Sequence, residues 1–192
     1  MEQFPTLQTS RLHLRAFQPD DVQAVFDSLS QEVVTRHINR GPMQSLDEAE
    51  ALVKSRASLF ERGFGIRWAI TLKNHPEYLI GSCGFYKLNQ GDHSAEIGYD
   101  LNPHYWRQGM MTETLITVIE FAYSEGFFFH LNRIQALTYL NNIASIGLLM
   151  KLGFQEEGIR REAGYWEYAY HDLRSFSLLR REWHPDKLRL SG

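Results

Sequence analysis

The chain reads as a mixed α/β protein, a central sheet of about seven strands with helices on both faces. Three observations predict this. The 192 residues carry 43% hydrophobic side chains, enough for one domain with a real core and too apolar for a disordered chain. Period-two alternation recurs in short runs bounded by Gly, Pro and Asn, whereas helix-periodic runs lie between them. Strand-like runs fall both before and after a central helix, which calls for a sheet of mixed direction covered on both sides.

Each element has a local reason. Arg11 to Phe17 alternates as a half-buried strand. Pro19-Asp20-Asp21 starts a helix whose apolar positions are Val22, Val25, Phe26 and Leu29. Ser45 and Glu48 have capping-box spacing, opening a helix that runs to Arg62 and stops at Gly63. Gly65–Leu72 and Tyr78–Leu88 are two strands joined by a turn at Asn74-His75-Pro76. Ser94–Leu101 is the next strand, ended by Pro103. Thr112 to Ser124 is an amphipathic helix, with Leu115, Val118, Ile119 and Ala122 on one face. Arg133–Tyr139 is a strand and Asn142–Lys151 a helix stopped by Gly153. Phe154–Ile159 and His171–Arg180 close the sheet, and the tail after Trp183 is loose. The folded core spans about residues 7–182 of a single domain covering 1–192.

Composition removes several classes of function. A net charge of -3 gives no nucleic-acid footprint. No apolar run approaches the roughly 20 residues of a membrane helix. Met1-Glu2-Gln3-Phe4-Pro5 lacks the basic and apolar regions of a signal peptide. The single cysteine, Cys83, excludes an internal disulfide framework and suits a reducing cytoplasm; its default role is a buried, inert thiol. The eight histidines are scattered, with no zinc-type spacing, so no metal site is expected.

The informative stretch is Trp106-Arg107-Gln108-Gly109-Met110-Met111-Thr112-Glu113, between the Ala95–Leu101 strand and a helix. A glycine-containing loop opening a helix is an anion-binding geometry, because the first helical N–H groups have no intrahelical partner and the dipole adds positive charge. The dinucleotide fingerprint does not fit, since only Gly109 of its glycines is present, and no Gly-Lys-Ser/Thr of a Walker loop occurs. Together with Ala95-Glu96-Ile97-Gly98-Tyr99-Asp100-Leu101-Asn102-Pro103, Asn142-Ile143-Ala144-Ser145 and Lys151-Leu152-Gly153-Phe154, the loop resembles the GCN5-related N-acetyltransferases. The opening Leu7-Gln8-Thr9-Ser10-Arg11-Leu12-His13-Leu14-Arg15 resembles their RimJ/RimL-type branch, the ribosomal-protein N-terminal acetyltransferases. The match runs through nearly the whole chain in order. Three loop positions depart from the general pattern: Trp106 stands first, Arg107 replaces a frequent glycine and Met111 a small residue.

The resemblance implies acetyl-coenzyme A as cosubstrate. The backbone of Arg107, Gln108, Gly109, Met110, Met111 and Thr112 would cradle its pyrophosphate. Two strands, Ala95–Leu101 and Arg133–Tyr139, would splay apart, with the pantetheine arm pairing near Tyr99 to Leu101. A cofactor there explains how a strand edge can stay unpaired. Asn142 and Ser145 would contact coenzyme A, though Asn142 also suits a helix N-cap.

Acetyl transfer needs a neutral amine, a stabilised thioester oxygen and a proton for the leaving thiolate. The resemblance points to direct attack in a ternary complex. Glu96 is the candidate base, with an ion-paired strand carboxylate as its other reading. Ser145 is the candidate acid, because the position where many relatives carry tyrosine is Leu149. Gly164 occupies the position of a carboxylate used in the branch, leaving Glu162 or Glu167 as substitutes. The backbone N–H near Tyr99 would hold the thioester oxygen. Tyr165-Trp166-Glu167-Tyr168-Ala169-Tyr170 is either a peptide groove or a packed hairpin. The run Phe127-Phe128-Phe129 reads as core, and His171-Asp172 as structural. The acceptor is a protein N-terminus on the branch resemblance, or a small amine such as a polyamine, amino acid or aminoglycoside. Asp92, Glu96, Asp100 and Glu167 keep an acidic pocket open as an option. A coenzyme A-binding module without catalysis is the other class. The resemblance implies a monomer or homodimer.

Overall fold

Eight strands form one sheet: β1 (Leu7–Gln8), β2 (Leu12–Arg15), β3 (Gly65–Leu72), β4 (His75–Asn89), β5 (Ser94–Leu101), β6 (Arg133–Tyr139), β7 (Gln155–Trp166) and β8 (Ala169–Leu179). Their spatial order is β1-β2-β3-β4-β5-β6-β8-β7. The computed structural model describes residues 3–38 and 40–186. Every neighbouring pair is antiparallel except β5 and β6, which run parallel. A parallel pair needs a crossover, and α4 (Met110–Ala122) supplies it.

The helices divide between the two faces. On one side, α1 (Val22–Leu29), α2 (Glu32–Thr35) and α3 (Leu46–Ser58) bury Val25, Leu29, Val34 and Val53 against Ala69 and Leu79. On the other, α4 and α5 (Ile143–Lys151) pack Leu115, Val118, Ile119, Ile146 and Leu149 onto Trp68, Phe85, Ile97, Ile134 and Phe176. Alternation along a strand therefore sorts its side chains. In β5, Ala95, Ile97, Tyr99 and Leu101 face α4 and α5, whereas Glu96, Gly98 and Asp100 face the α1–α3 side.

The mixed sheet and the two covered faces agree with the reading of the sequence, and the differences are local. The eighth strand is β1, only two residues long, which pairs with β2. The hairpin turn before β4 sits at Lys73 and Asn74 rather than at His75-Pro76; Pro76 is tolerated because the register slips there. The helix from Ser45 ends at Ser58 and not at Arg62. Ser45 Oγ caps Glu48 N–H as expected, but Glu48 returns to the N–H of Gln44. The short α2 has no counterpart in the sequence reading. The last two strands are longer than expected and form a hairpin closed by Glu167 and Tyr168, both at positive φ, as a two-residue type I′ loop requires. The loose tail falls largely on residues 187–192, outside the described residues. No helix among the described residues is long and apolar enough to cross a membrane.

Candidate active site

The sheet opens where the parallel pair ends. β5 pairs with β4 along its length, from Ser94 to Leu101. Against β6 it pairs only at Ser94, Ala95 and Glu96, opposite Arg133, Ile134 and Gln135. From Ile97 onward the two strands part, and β6 continues beside β8 to Tyr139. The splayed strands inferred from the resemblance are therefore present. One edge of β5 presents backbone groups without a ladder partner, an arrangement that persists in a folded protein when something else pairs with them.

The loop after β5 is held from several directions. Trp106 Nε1 donates to the Leu101 carbonyl at 2.7 Å, folding the loop back onto the strand end. Gln108 Nε2 donates to the His104 carbonyl at 2.7 Å, and Arg11 Nη1 donates to the Gln108 carbonyl at 2.9 Å. Gly109 caps α4 with φ of 74°, in the left-handed region that glycine enters without steric cost. The first helical bond runs from Glu113 N–H to the Gly109 carbonyl, so Met110, Met111 and Thr112 direct their N–H groups out of the helix end. Their backbone also carries the helix's positive partial charge. The side chains of Met110 and Met111 are buried in the core, so the large residue at 111 lies under the loop and leaves the anion-facing backbone clear. Arg107 is exposed beside it with φ of 59°.

Glu113 locks this helix end to the N-terminal segment. Its carboxylate accepts from Thr9 Oγ1, from Ser10 Oγ at 2.9 Å and from Arg11 N–H at 2.9 Å, and pairs with Arg11 Nε at 2.7 Å. Burial opposes ionisation, but these donors outweigh it and hold the carboxyl at about 2. The conspicuous Leu7–Arg15 opening thus buttresses the Gly109 loop and the start of α4, a role the sequence reading did not assign.

Across the split, the Tyr99 hydroxyl lies 2.7 Å from Ser145 Oγ. Ser145 sits in the first turn of α5, and Asn142 is that helix's N-cap, its Oδ1 accepting from Ser145 N–H at 3.2 Å. Burial pushes the Tyr99 phenol above its ordinary value, against the opposing pull of the Ser145 hydrogen bond, so it stays protonated at neutral pH. Leu149, the position at which the resemblance implied a tyrosine, is buried in the core. A tyrosine hydroxyl reaches Ser145 all the same, from β5 rather than from the helix. The sequence reading used only the Tyr99 backbone; a cross-sheet contact of this kind has no local sequence signal.

Glu96 lies at the last paired position of the split, 6% exposed. Its carboxylate pairs with Lys87 Nζ at 3.0 Å and lies beside Tyr86, its register partner on β4. Burial, then the Glu96 charge and its hydrogen bond, push the Tyr86 phenol well above its ordinary value. Glu96 is therefore ion-paired, as one reading held, yet it stands at the mouth of the split, as the other required. Leu101 ends β5 on the opposite face, buried.

The remaining carboxylates disperse. Asp100 is buried and accepts from Ser82 Oγ at 2.5 Å, Arg67 Nη2 at 2.6 Å and Arg56 Nη2 at 3.4 Å. Burial opposes its ionisation, but the two arginines hold its carboxyl below the usual range. Asp92 accepts from Asn89 in the β4–β5 turn. Glu167 occupies the β7–β8 hairpin loop, and Glu162 lies on exposed β7 with its N–H on Asp172 Oδ1 at 2.8 Å. No acidic pocket forms from these residues. Trp166 stacks on His171, and Asp172 accepts from the Glu162 N–H. Trp166 also meets Tyr139 edge-on at 4.3 Å, and the His37 ring lies 6.3 Å from that of Tyr139. The aromatic run thus splits into a packed part, Trp166, and exposed Tyr165, Tyr168 and Tyr170. Phe127 is core, whereas Phe128 is partly exposed. Cys83 is fully buried, and burial pushes its thiol up to about 12. No cluster of metal-binding side chains occurs among the described residues.

The sequence and the fold are similar to those of known proteins. Residues 11–155 match the family model described as an acetyltransferase (GNAT) domain. The chain is 36% identical to an uncharacterized N-acetyltransferase, YoaA, of Bacillus subtilis (strain 168), over 92% of this chain and 98% of that protein. It is 25% identical to the ribosomal-protein-serine acetyltransferase of Escherichia coli (strain K12), over 70% of this chain and 72% of that protein. Its fold superposes with a TM-score of 0.79 on RimL, a ribosomal L7/L12 alpha-N-protein acetyltransferase solved with coenzyme A, at 22% identity over 91% of this chain and 98% of that one. The split between β5 and β6, the glycine-capped loop and the family match over residues 11–155 identify this chain as a member of the GNAT family of N-acetyltransferases.

Proposed function

We propose that this N-acetyltransferase uses acetyl-coenzyme A to acetylate a primary α-amine at a protein N-terminus, by direct attack in a ternary complex in the cytoplasm. The observation that carries the reading is the open edge of β5 running from Glu96 to the anion-directed end of α4. A long ligand with a phosphate end and an amide-bearing arm suits such a slot. The outward N–H groups of Met110, Met111 and Thr112, with Arg107, Gln108 and Gly109, hold the phosphates. The unpaired backbone near Tyr99 and Leu101 takes the arm, and Asn142 and Ser145 line its far side.

Acetyl-coenzyme A supplies the activated acetyl group. The chain's own residues supply a base, a dipole and an acid. Glu96 accepts the amine proton, directly or through a water. A backbone N–H near Tyr99 stabilises charge on the thioester oxygen. As the nitrogen–carbon bond forms and the carbon–sulfur bond breaks, the Ser145 hydroxyl, hydrogen-bonded to the Tyr99 hydroxyl, passes a proton to sulfur; the pair regains a proton from solvent, and Glu96 releases to solvent the one taken from the amine.

The acceptor follows from charge. A polycationic amine calls for several free carboxylates, and of the four candidates only Glu96 stays at the split. Asp100 is occupied by two arginines. An α-amine with a pKa of about 8 needs only a modest base. The similarity to a ribosomal-protein-serine acetyltransferase favours the same acceptor class. The test is thiol release from acetyl-coenzyme A with peptides beginning in Ala, Ser or Met and with small amines. Turnover with the peptides is expected. Turnover with polyamines alone would replace the acceptor, and coenzyme A binding without turnover on any amine would favour a non-catalytic module.

A further inference from the structure

Lys87 departs from the alternation of β4. Tyr86 lies opposite Glu96, and the next registered pair is Asn89 with Ser94, so three steps on β4 meet two on β5. The extra residue makes a β-bulge, and Lys87 sits in it at φ of 50°, in the left-handed region. The side-chain pattern slips accordingly. Phe85 and Leu88 pack into the same core on the α4–α5 side although three residues apart, where a regular strand brings together residues two or four apart. In unbroken alternation Lys87 would point toward α4 and α5. The bulge leaves it instead beside Tyr86 and Glu96: Nζ lies 3.0 Å from Glu96 Oε2 and 5.8 Å from the centre of the Tyr86 ring.

Glycine takes this backbone conformation freely, whereas a residue with a side chain is strained in it. What the strain secures is a counter-charge. Glu96 is buried, and a buried carboxylate stays charged only beside hydrogen-bond donors and an opposite charge. Tyr86 supplies a hydrogen bond, and Lys87 supplies the charge. The other cations on this face are engaged elsewhere. Arg67 on β3 and Arg56 on α3 hold Asp100, and Arg40 pairs with Glu48. Arg133 on β6 pairs with Glu157, and Arg160 on β7 donates to Gln135, the residue in register with Glu96. The Lys87 side chain is itself 66% exposed, so the bulge rather than burial keeps its ammonium in place.

We propose that Lys87 is a positioning residue for acetyl transfer, whose ammonium holds Glu96 charged and in place at the mouth of the split, where it takes the proton of the acceptor amine. This rests on the acetyltransferase reading above and extends it to a residue outside the slot. Lys87 touches none of the reacting atoms and exchanges no proton with them; it acts through Glu96. A lysine in a position that favours glycine gives up some stability to set that charge beside the base, a trade common at functional sites. Without the ammonium, the carboxylate is harder to keep charged as protons become abundant, so the loss of activity is deepest at low pH.

The test is the pH dependence of kcat/KM in the full-length wild type, Lys87→Gly, Lys87→Arg, Glu96→Gln and the double variant of Lys87→Gly with Glu96→Gln. Thermal unfolding and coenzyme A binding are measured alongside. The acceptor's own ionisation is common to all, so ratios to wild type report on the enzyme. An opposite charge this close changes the ionised fraction of a carboxylate by about 10-fold or more, and solvent screening of an exposed lysine keeps the effect near the low end. Lys87→Gly should therefore lose about 10-fold at the acid end of the profile and little at the alkaline end. Its stability should match wild type, the relief of strain offsetting the lost ion pair. Lys87→Arg, which keeps the charge, should restore most of the activity. In the Glu96→Gln background the glycine substitution should add nothing. Lys87→Met carries the same comparison if Lys87→Gly does not fold. A wild-type profile in the folded, charge-free variant overturns the proposal, as does an equal loss in Lys87→Arg or a further loss on top of Glu96→Gln. Each of these leaves the acetyltransferase reading intact, whereas wild-type turnover of no amine and no peptide overturns both.

Discussion

The two edges of β5 are made from the same residues and behave differently. Toward β4 the strand is laddered from Ser94 to Leu101; toward β6 the ladder stops at Glu96. The closed edge is structural, lined by Ile97 on one face and the Asp100–Ser82–Arg67 network on the other. The open edge runs from Glu96 past the Tyr99–Ser145 pair toward the Gly109 loop. Substitutions along the open edge should therefore affect turnover or ligand affinity, whereas those that support the closed structure should affect stability.

The largest effect is expected at Glu96. Glu96→Gln should lower turnover by about 10²- to 10³-fold with coenzyme A affinity unchanged. The loss should be deepest at low pH and shrink as pH passes the amine's own pKa of about 8. A pH–rate profile equal to wild type would remove Glu96 from the chemistry. Next comes Gly109→Val, which places a branched side chain at φ of 74° and under the phosphates. Coenzyme A affinity should fall by about 10- to 100-fold, since such strain costs of order 1–3 kcal/mol; calorimetric titration measures it. Tyr99→Phe and Ser145→Ala should each lower kcat by about 10-fold, and the double variant by little more than either. Groups acting as one unit are not additive, and additive losses would separate them.

How much of this was legible depends on range. β5, β6 and the helix after Gly109 were readable because alternation, Pro103 and the glycine are local signals. So was the family-like spacing that placed the split. The partner of each β5 edge was accessible only through the resemblance, because pairing is non-local and leaves alternation unchanged. The Tyr99–Ser145 contact joins residues 46 apart, and the Arg67–Ser82–Asp100 network draws on three strands. The β7–β8 hairpin was underestimated because its loop is Glu167-Tyr168, without the Gly or Asn that marks such turns. Its first strand is also exposed along most of its length, so no apolar alternation showed.

Smaller effects sharpen the contrast from the structural side. Glu113 has its folded pKa lowered from 4.5 to about 2. Its contribution is therefore full above pH 4.5 and lost as pH falls toward 2. Glu113→Gln should destabilise by about 1–2 kcal/mol at neutral pH, allowing for solvent screening, and should lessen the acid dependence of thermal stability between those values. Smallest of all, Cys83 should resist alkylation in the native protein, because it is buried and its thiol is held near 12. Labelling at neutral pH without unfolding would contradict its place in the closed half of the sheet.

The most direct test of the central claim is amide hydrogen exchange along β5 with and without saturating acetyl-coenzyme A. If the open edge receives the pantetheine arm, amides within Ile97–Leu101 that face β6 slow on binding, as do those of Met110 to Thr112, while amides already paired with β4 change little. Saturation of the ligand with exchange at Ile97–Leu101 unchanged would contradict the account.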